Sequence, residues 1–304
     1  MSSSLVSKIV DLIRSTSSSL PEDVLDALKS ARQRETDGSS AAVVLGTILD
    51  NCAIAAKRGT PLCQDTGTLT FFVDEALRDT VTPAAIKEAV AIATEKGYLR
   101  KNTIDSITGK SYDDNCAEGA PVVHYRMSSC SSGARSSRPT VTLVMKGGGS
   151  ENMSRQYSLP DSSLGAGRDL AGVRRCVLDA VQKIQGYGCA PGILGICIGG
   201  DRATGYEVAK EQLLRPLDEY GAGKFPADEA SVSLDKLNSL EHLSLLESIL
   251  LKEANSLGIG PMGLGGKTTL LGVKIAARPR VPASFFVTIA YMCWACRRRT
   301  VCVE

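Results

Sequence analysis

The sequence predicts an α+β protein in which mixed sheets pack against helices, with strands and helices in irregular order. Three observations predict it. Stretches with helical spacing of apolar residues alternate with short β-branched or aromatic stretches, but no regular strand–helix rhythm appears, so a doubly wound sheet is disfavoured. Glycine-rich segments carrying polar side chains lie at the element boundaries. The chain has 304 residues, 43% of them hydrophobic, and at that length a compact fold buries roughly 75% of its unfolded surface without disulfide staples.

The elements follow in order. Leu5 to Arg14 has helical spacing through Leu5, Ile9, Val10, Leu12 and Ile13. Pro21 opens a second helix, as a first-turn proline does, ahead of Val24, Leu25 and Leu28. A third helix runs from Ser40 to about Lys57 and stops at Arg58-Gly59-Thr60-Pro61, where Gly59 takes the left-handed cap. Thr68 to Val73 alternates as a strand, and Thr82-Pro83 supplies an N-cap and first residue for a helix that Gly97 closes. Val122 to Met127 and Thr140 to Met145 read as strands. The loop between them, Ser128 to Arg138, has the composition of a solvated segment. The chain, 1–304, reads as a single domain, and that loop either divides two lobes or tops a long hairpin. A helix within Asp169 to Ile184, a strand at Ile193 to Ile198 and a helix at Thr204 to Leu214 come next. Pro216 to Val232 is a loop, Leu234 to Leu257 is helical, and Thr268 to Ala276 and Ser284 to Tyr291 are strands.

Composition excludes several functions. A net charge of +2 gives no footprint for nucleic acid or an anionic membrane. No window of ~20 apolar residues suggests a membrane span. The N-terminus lacks the charged and apolar regions of an export signal. Ten cysteines without such a signal point to a reducing compartment, and a cytoplasmic location is expected.

Three segments concentrate chemistry. Gly59-Thr-Pro-Leu-Cys-Gln-Asp-Thr-Gly67 sets a thiol, an amide, a carboxylate and a hydroxyl in one turn-like stretch. An ordinary loop with a buried thiol is the competing reading. Gly186-Tyr-Gly-Cys-Ala-Pro-Gly192 crowds glycine and proline around a cysteine, which lets backbone N–H groups approach a cofactor, or simply makes a tight turn. Met292-Cys-Trp-Ala-Cys-Arg-Arg-Arg299 holds a Cys-x-x-Cys pair. With only two histidines, His124 and His242, and no second pair at ribbon spacing, a closed zinc site is poorly supported. The arginine run there also suits a solvated end. Cys63, Cys189 and Cys293, far apart in sequence, can still converge on one [4Fe–4S] cluster with one iron left open, although seven other cysteines are available. Two segments are decoys. Gly260 to Thr268 resembles a phosphate loop, but Pro261 stands where the first glycine belongs. Lys146-Gly-Gly-Gly-Ser150 lacks dinucleotide-loop spacing, yet it can present N–H groups to a carboxylate.

At these segments the chain resembles the alpha subunit, or N-terminal domain, of class I fumarate hydratases and their L-tartrate dehydratase relatives. The segments that carry the resemblance are Arg58 to Gly67, Leu99-Arg-Lys-Asn-Thr103, Lys146 to Asn152, Gly188 to Ile193, Leu257 to Thr269 and Cys293 to Arg298. The resemblance implies a [4Fe–4S] cluster on Cys63, Cys189 and Cys293, sited where the glycine-rich loops converge, with Cys296 the alternative third ligand. It implies substrate contacts from Gln64, Asp65, Arg100 and the loop of Lys146, Gly148 and Gly149, with Asp65 moving a proton. The implied reaction is the reversible hydration of fumarate to (S)-malate. The alternatives are an L(+)-tartrate dehydratase alpha subunit and, in another class, a non-catalytic iron–sulfur redox sensor. Since the single-chain members continue into a second domain, the resemblance also implies a separate beta subunit, a hetero-oligomer and a small dicarboxylate substrate.

Overall fold

The computed structural model describes residues 2–127, 138–217 and 243–303. Most of the Ser128 to Arg138 loop, most of the Pro216 to Val232 loop and the first part of the helical stretch from Leu234 therefore lie outside the described residues. The fold is mixed α/β with two mixed sheets. It parts into two compact units, the first formed by Met1–Pro21, Asp50–Gly148 and Ala295–Glu304, the second by Glu22–Leu49 and Gly149–Trp294.

In the first unit the sheet order is β2-β1-β3-β8, built from β1 (Thr68–Asp74), β2 (Val122–Arg126), β3 (Thr140–Lys146) and β8 (Arg297–Cys302). β1 runs parallel to β2 and antiparallel to β3, and β3 runs antiparallel to β8. β1 alternates as its sequence suggests: Leu69, Phe71 and Val73 are buried and the residues between them are partly exposed. The register sets Leu69 opposite Met145, Phe71 opposite Leu143 and Val73 opposite Val141, so one face is wholly apolar. Helices α1 (Ser2–Ser18) and α4 (Pro83–Glu95) supply Val6, Ile9, Ile13, Ile86, Ala89 and Val90 to that core. α4 starts as expected, with the Thr82 hydroxyl accepting from the Ala85 N–H at 3.2 Å and Pro83 in the first turn. Emptying such a core costs about 3–5 kcal/mol for a Phe→Ala change, which is why Phe71 anchors β1. The same register pairs Thr68 with Lys146 and Met145 with Arg297. It therefore sets the segment before β1, the end of β3 and the start of β8 side by side.

In the second unit the order is β4-β7-β5-β6, from β4 (Arg155–Ser158), β5 (Gly192–Gly199), β6 (Leu270–Arg278) and β7 (Phe286–Met292). β5 runs parallel to β6 and antiparallel to β7. All 8 residues of β5 are buried, which explains its continuous rather than alternating apolar character. α6 (Leu170–Ile184) and α8 (Leu243–Ser256) place Val173, Val177, Leu246 and Leu250 in one core with Leu194, Ile196 and Ile289. α7 (Arg202–Gln212), opened by a capping box between Asp201 and Thr204, also packs on β5 and β7. α2 (Glu22–Arg34) belongs to this unit, and a single turn, α5 (Gly148–Glu151), follows β3.

Helix α3 (Ser40–Arg58) gives its residues up to Leu49 to the second unit and those from Asp50 to the first. Although the sequence reading found no apolar window of spanning length, α3 is by length and composition capable of crossing a membrane. Its buried residues Ala41, Leu45, Ile48, Cys52 and Ala55 recur at helical spacing, the pattern of a helix packed along one stripe.

Candidate active site

In the first unit the polar loop runs from Cys63 to Gly67, between Leu62 and β1. Its backbone is fixed at several points. The Leu62 N–H donates to the Ser17 carbonyl at 2.8 Å, and the Asn51 amide donates to the Leu62 carbonyl at 3.0 Å. The Asp65 N–H turns inward toward Cys63 Sγ at 3.4 Å. The Arg297 guanidinium donates to the Asp65 carbonyl at 2.7 Å. Arg297 is 1% exposed, so the start of the arginine run is a buried clamp rather than a solvated end. Its first position in β8, opposite Met145, carries it under the loop.

Gly67 is required by close approach. At φ +73° it lies where a Cβ would come within 2.3 Å of the Lys146 carbonyl. Gly147 is constrained in the same way, since a Cβ there would stand 2.8 Å from Asp65 Oδ2. The Asp65 carboxylate is thus laid against the Lys146–Gly148 backbone. Lys146 is buried, while Gly148 is exposed beside it.

Asp65 has a further neighbour that the sequence reading did not single out. The Asn102 side-chain amide donates to Asp65 Oδ1 at 3.4 Å. Asn102 is itself held, because the buried Asn115 side chain accepts from the Asn102 and Thr103 N–H groups at 2.9 and 3.0 Å. Asn115 also donates to the Arg100 carbonyl at 2.8 Å. The Thr66 hydroxyl accepts from the Arg100 N–H at 2.9 Å, which ties the two loops together. Arg100 is exposed and reaches back to the Gln64 carbonyl and side-chain oxygen at 3.3 and 3.5 Å. An open cavity of about 320 Å³ lies here, lined by Asp65, Thr66, Asn102, Thr103, Asn115 and Gly148 among others. The first unit therefore brings together Gln64, Asp65, Arg100, Lys146 and Gly148, as the sequence suggested, and adds Asn102, Asn115, Thr66 and Arg297. Asn102 stood inside a recognised segment. Asn115 carried no signal beyond asparagine's tolerance of positive φ, here +60°.

The second unit holds Gly149, Cys189 and Cys293. Cys189 is exposed at the turn before β5, in a left-handed conformation of φ +54° that is unusual for a residue with a side chain. Its N–H donates to the Gly186 carbonyl at 3.1 Å. Its carbonyl accepts from the Trp294 N–H at 3.4 Å, which brings the segment after β7 to the same turn. Cys293, at the end of β7, is half-buried. The Gly260–Thr269 segment backs this turn: Met262 N–H donates to the Ala190 carbonyl at 2.9 Å, and Gly192 N–H to the Thr269 carbonyl at 3.0 Å. Its phosphate-loop look has a structural explanation. The Glu35 carboxylate already accepts from the Lys267 N–H at 2.9 Å and the Thr268 N–H at 2.9 Å.

Soft metals and iron–sulfur clusters take thiolates, so accessibility and thiol acidity sort the candidates. Burial pushes Cys52 up to about 11, Cys197 up to about 11 and Cys176 up to about 12, and those three act as small core hydrophobes. Cys296 is fully buried, whereas Cys293, three residues earlier, is not. Cys63 is half-buried and Cys189 exposed. The accessible thiols thus include the three that the sequence favoured, Cys63 and Cys189 on glycine-rich turns and Cys293 just past β7, and their chemistry fits an iron–sulfur group. Within each unit, among the described residues, no three His, Cys, Asp or Glu side chains are grouped to hold a single metal ion.

The fold and these loops define a mixed α/β protein that sets a carboxylate, an amide and a guanidinium on one set of strand-end loops and accessible thiols on another. Comparison with known proteins gives the class a name. Residues 6–302 match the family model for fumarate hydratase (fumerase). A Geobacillus stearothermophilus protein provisionally assigned as fumarate hydratase class I is 44% identical across 99% of this chain, which spans 55% of that relative's length. A Methanocaldococcus jannaschii protein provisionally assigned as L(+)-tartrate dehydratase subunit alpha is 32% identical over 95% of this chain and 94% of its own length. The Escherichia coli K12 L(+)-tartrate dehydratase subunit alpha is 28% identical over 98% of this chain and 92% of its own. The chain belongs to the fumarate hydratase (fumerase) family.

Proposed function

We propose that this chain is the cluster-carrying alpha component of a hydro-lyase that interconverts fumarate and (S)-malate. The observation that carries the reading is the 44% identity with the class I fumarate hydratase relative over almost the whole chain, joined to an Asp65 carboxylate that accepts from Asn102 and an Arg100 whose backbone N–H is tied to the adjacent Thr66. Cys63, Cys189 and Cys293 would hold a [4Fe–4S] cluster. When bound by three thiolates, such a cluster supplies an iron with an open position, a Lewis acid toward a hydroxyl and a carboxylate oxygen.

The chain's own residues would do the rest. The Arg100 guanidinium, on a segment fixed by the Thr66 and Asn115 contacts to its backbone, grips a substrate carboxylate through two parallel hydrogen bonds. That charge also steadies the negative character that builds on the carboxylate as the neighbouring C–H proton leaves. Asp65 is the proton carrier, because it is held by Asn102 on one side and by the Gly147 backbone on the other with a carboxylate oxygen at the cavity. Gln64 and the N–H groups of Gly148 and Gly149 orient the second carboxylate.

A second reading, L(+)-tartrate dehydratase alpha subunit, is favoured by one observation: the tartrate relatives match this chain over nearly their full length. Their names as alpha subunits also support a beta-subunit partner for this chain. The deciding experiment is anaerobic. The full chain is reconstituted with iron and sulfide, mixed with a beta subunit, and supplied with fumarate or L(+)-tartrate. Fumarate loss with malate formation, at a kcat/KM well above that for tartrate, is expected. Oxaloacetate from tartrate with inert fumarate transfers the assignment to the second reading, and a chain that takes up no iron removes both.

A further inference from the structure

Tyr291 is the last but one residue of β7 and lies under the turn that carries Cys189. Its ring takes the place of two missing side chains: a Cβ on Gly188 would come within 2.4 Å of the ring, and a Cβ on Gly192 within 2.4 Å of the hydroxyl. Cys293 follows two residues along, just past the end of β7. The tyrosine is 1% exposed. Its hydroxyl has no hydrogen-bond partner among the described residues, the thiols included. A tyrosine hydroxyl in its ordinary neutral form is an O–H donor.

A buried tyrosine hydroxyl ordinarily finds an acceptor. This one is enclosed by two glycines that leave room for it and flanked by two thiols that do not accept from it. The missing acceptor is then the group the thiols bind. We propose that the Tyr291 hydroxyl donates a hydrogen bond to a sulfur of the iron–sulfur cluster held at Cys189 and Cys293, and so sets its reduction potential. Tyr291 is a positioning and tuning residue in this account, and the inference rests on the cluster reading of the proposed function. Hydrogen bonds to cluster sulfurs stabilise the more negative, reduced form. Removing the donor must therefore lower the potential.

The test compares the full chain with Tyr291→Phe, which keeps the ring that fills the space under Gly188 and Gly192. Both are reconstituted anaerobically with iron and sulfide in D2O. The one-electron midpoint is measured by titration, and exchangeable deuterons near the reduced cluster are measured by pulsed EPR. The expected result is about four irons in each, a roughly tenfold shift toward the oxidised form in the variant (about 59 mV for one electron), and loss of one strongly coupled deuteron. Equal potentials with an unchanged deuteron signal overturn the inference and leave the hydro-lyase reading intact. A wild-type chain that takes up no cluster overturns the functional reading and this inference with it. The wild-type deuteron measurement needs no variant: a reduced cluster with no strongly coupled exchangeable deuteron overturns the proposal even if Tyr291→Phe fails to fold.

Discussion

Around Asp65, side chains hold the backbone: Asn115 grips residues 100 to 103, Thr66 grips Arg100, and Arg297 grips the Asp65 carbonyl. Around Cys189, backbone holds backbone. The turn is laced by Cys189 to Gly186, Trp294 to Cys189 and Met262 to Ala190 contacts, and Tyr291 fills the space beneath. The difference suits the two tasks proposed above, proton transfer at Asp65 and cluster binding at Cys189. A proton carrier must be aimed at one atom, and charged or amide side chains aim it. A thiolate cage must instead let main chain and a bulky inorganic group come close, which glycine and backbone hydrogen bonds permit.

The sharpest way to break that contrast is a crossed pair of substitutions in the assembled enzyme. Cys189→Ser is expected to lose iron, falling from about four per chain toward none, with activity lost in parallel. Asp65→Asn is expected to keep its iron and spectrum while kcat falls by roughly 10²–10⁴. Iron analysis beside kinetics decides it. Full turnover in Asp65→Asn would remove the proton-transfer role, and an intact cluster in Cys189→Ser would remove that thiol from the ligand set.

Much of this was legible beforehand, and the reasons are local. The helix caps at Thr82 and Gly97, the alternation of β1 and the glycine-rich turns all depend on neighbours within a few residues. What was not legible depends on partners far away. β4 is 4 residues long and takes its place from β7, more than a hundred residues on. β8 reads as a run of arginines, and only its pairing with β3 shows that Arg297 is buried while Arg298 and Arg299 are partly exposed. Asn115 is another such case, since its importance comes from the carbonyl and N–H groups that the 100–103 segment leaves unpaired by any sheet. For the same reason Lys267-Thr268 looked like an anion loop: the carboxylate that fills it, Glu35, is far away in the chain.

A smaller effect sharpens the aiming argument. Asn102→Ala removes the donor to Asp65 Oδ1. At 3.4 Å that hydrogen bond is long, so the loss belongs at the lower end of the range for bonds to charged groups, roughly tenfold. The fall is expected in kcat, with KM nearly unchanged and the cluster spectrum unaltered. A rise in KM alone would show that Asn102 contacts substrate rather than positioning the acid.

The smallest effect separates the accessible thiols from the core ones. Burial, and then Asp161 and Asp179, raise Cys176 from 9.0 to about 12. Its folded pKa exceeds its unfolded value, so the stability it contributes is fully present below about 9 and is lost as pH rises from 9 through about 12. A single such proton changes stability by at most about 1.4 kcal/mol per pH unit, and partial solvent screening lowers that figure. Cys176→Ala carries a cavity cost at every pH but no titrating thiol. The stability gap between wild type and variant, measured by urea unfolding of the full chain, is therefore expected to narrow between pH 8 and pH 10.5. A constant gap would mean that Cys176 ionises alike in both states. Burial alone would then not be what sets core thiols apart from Cys189, and the distinction would have to rest on the turn geometry.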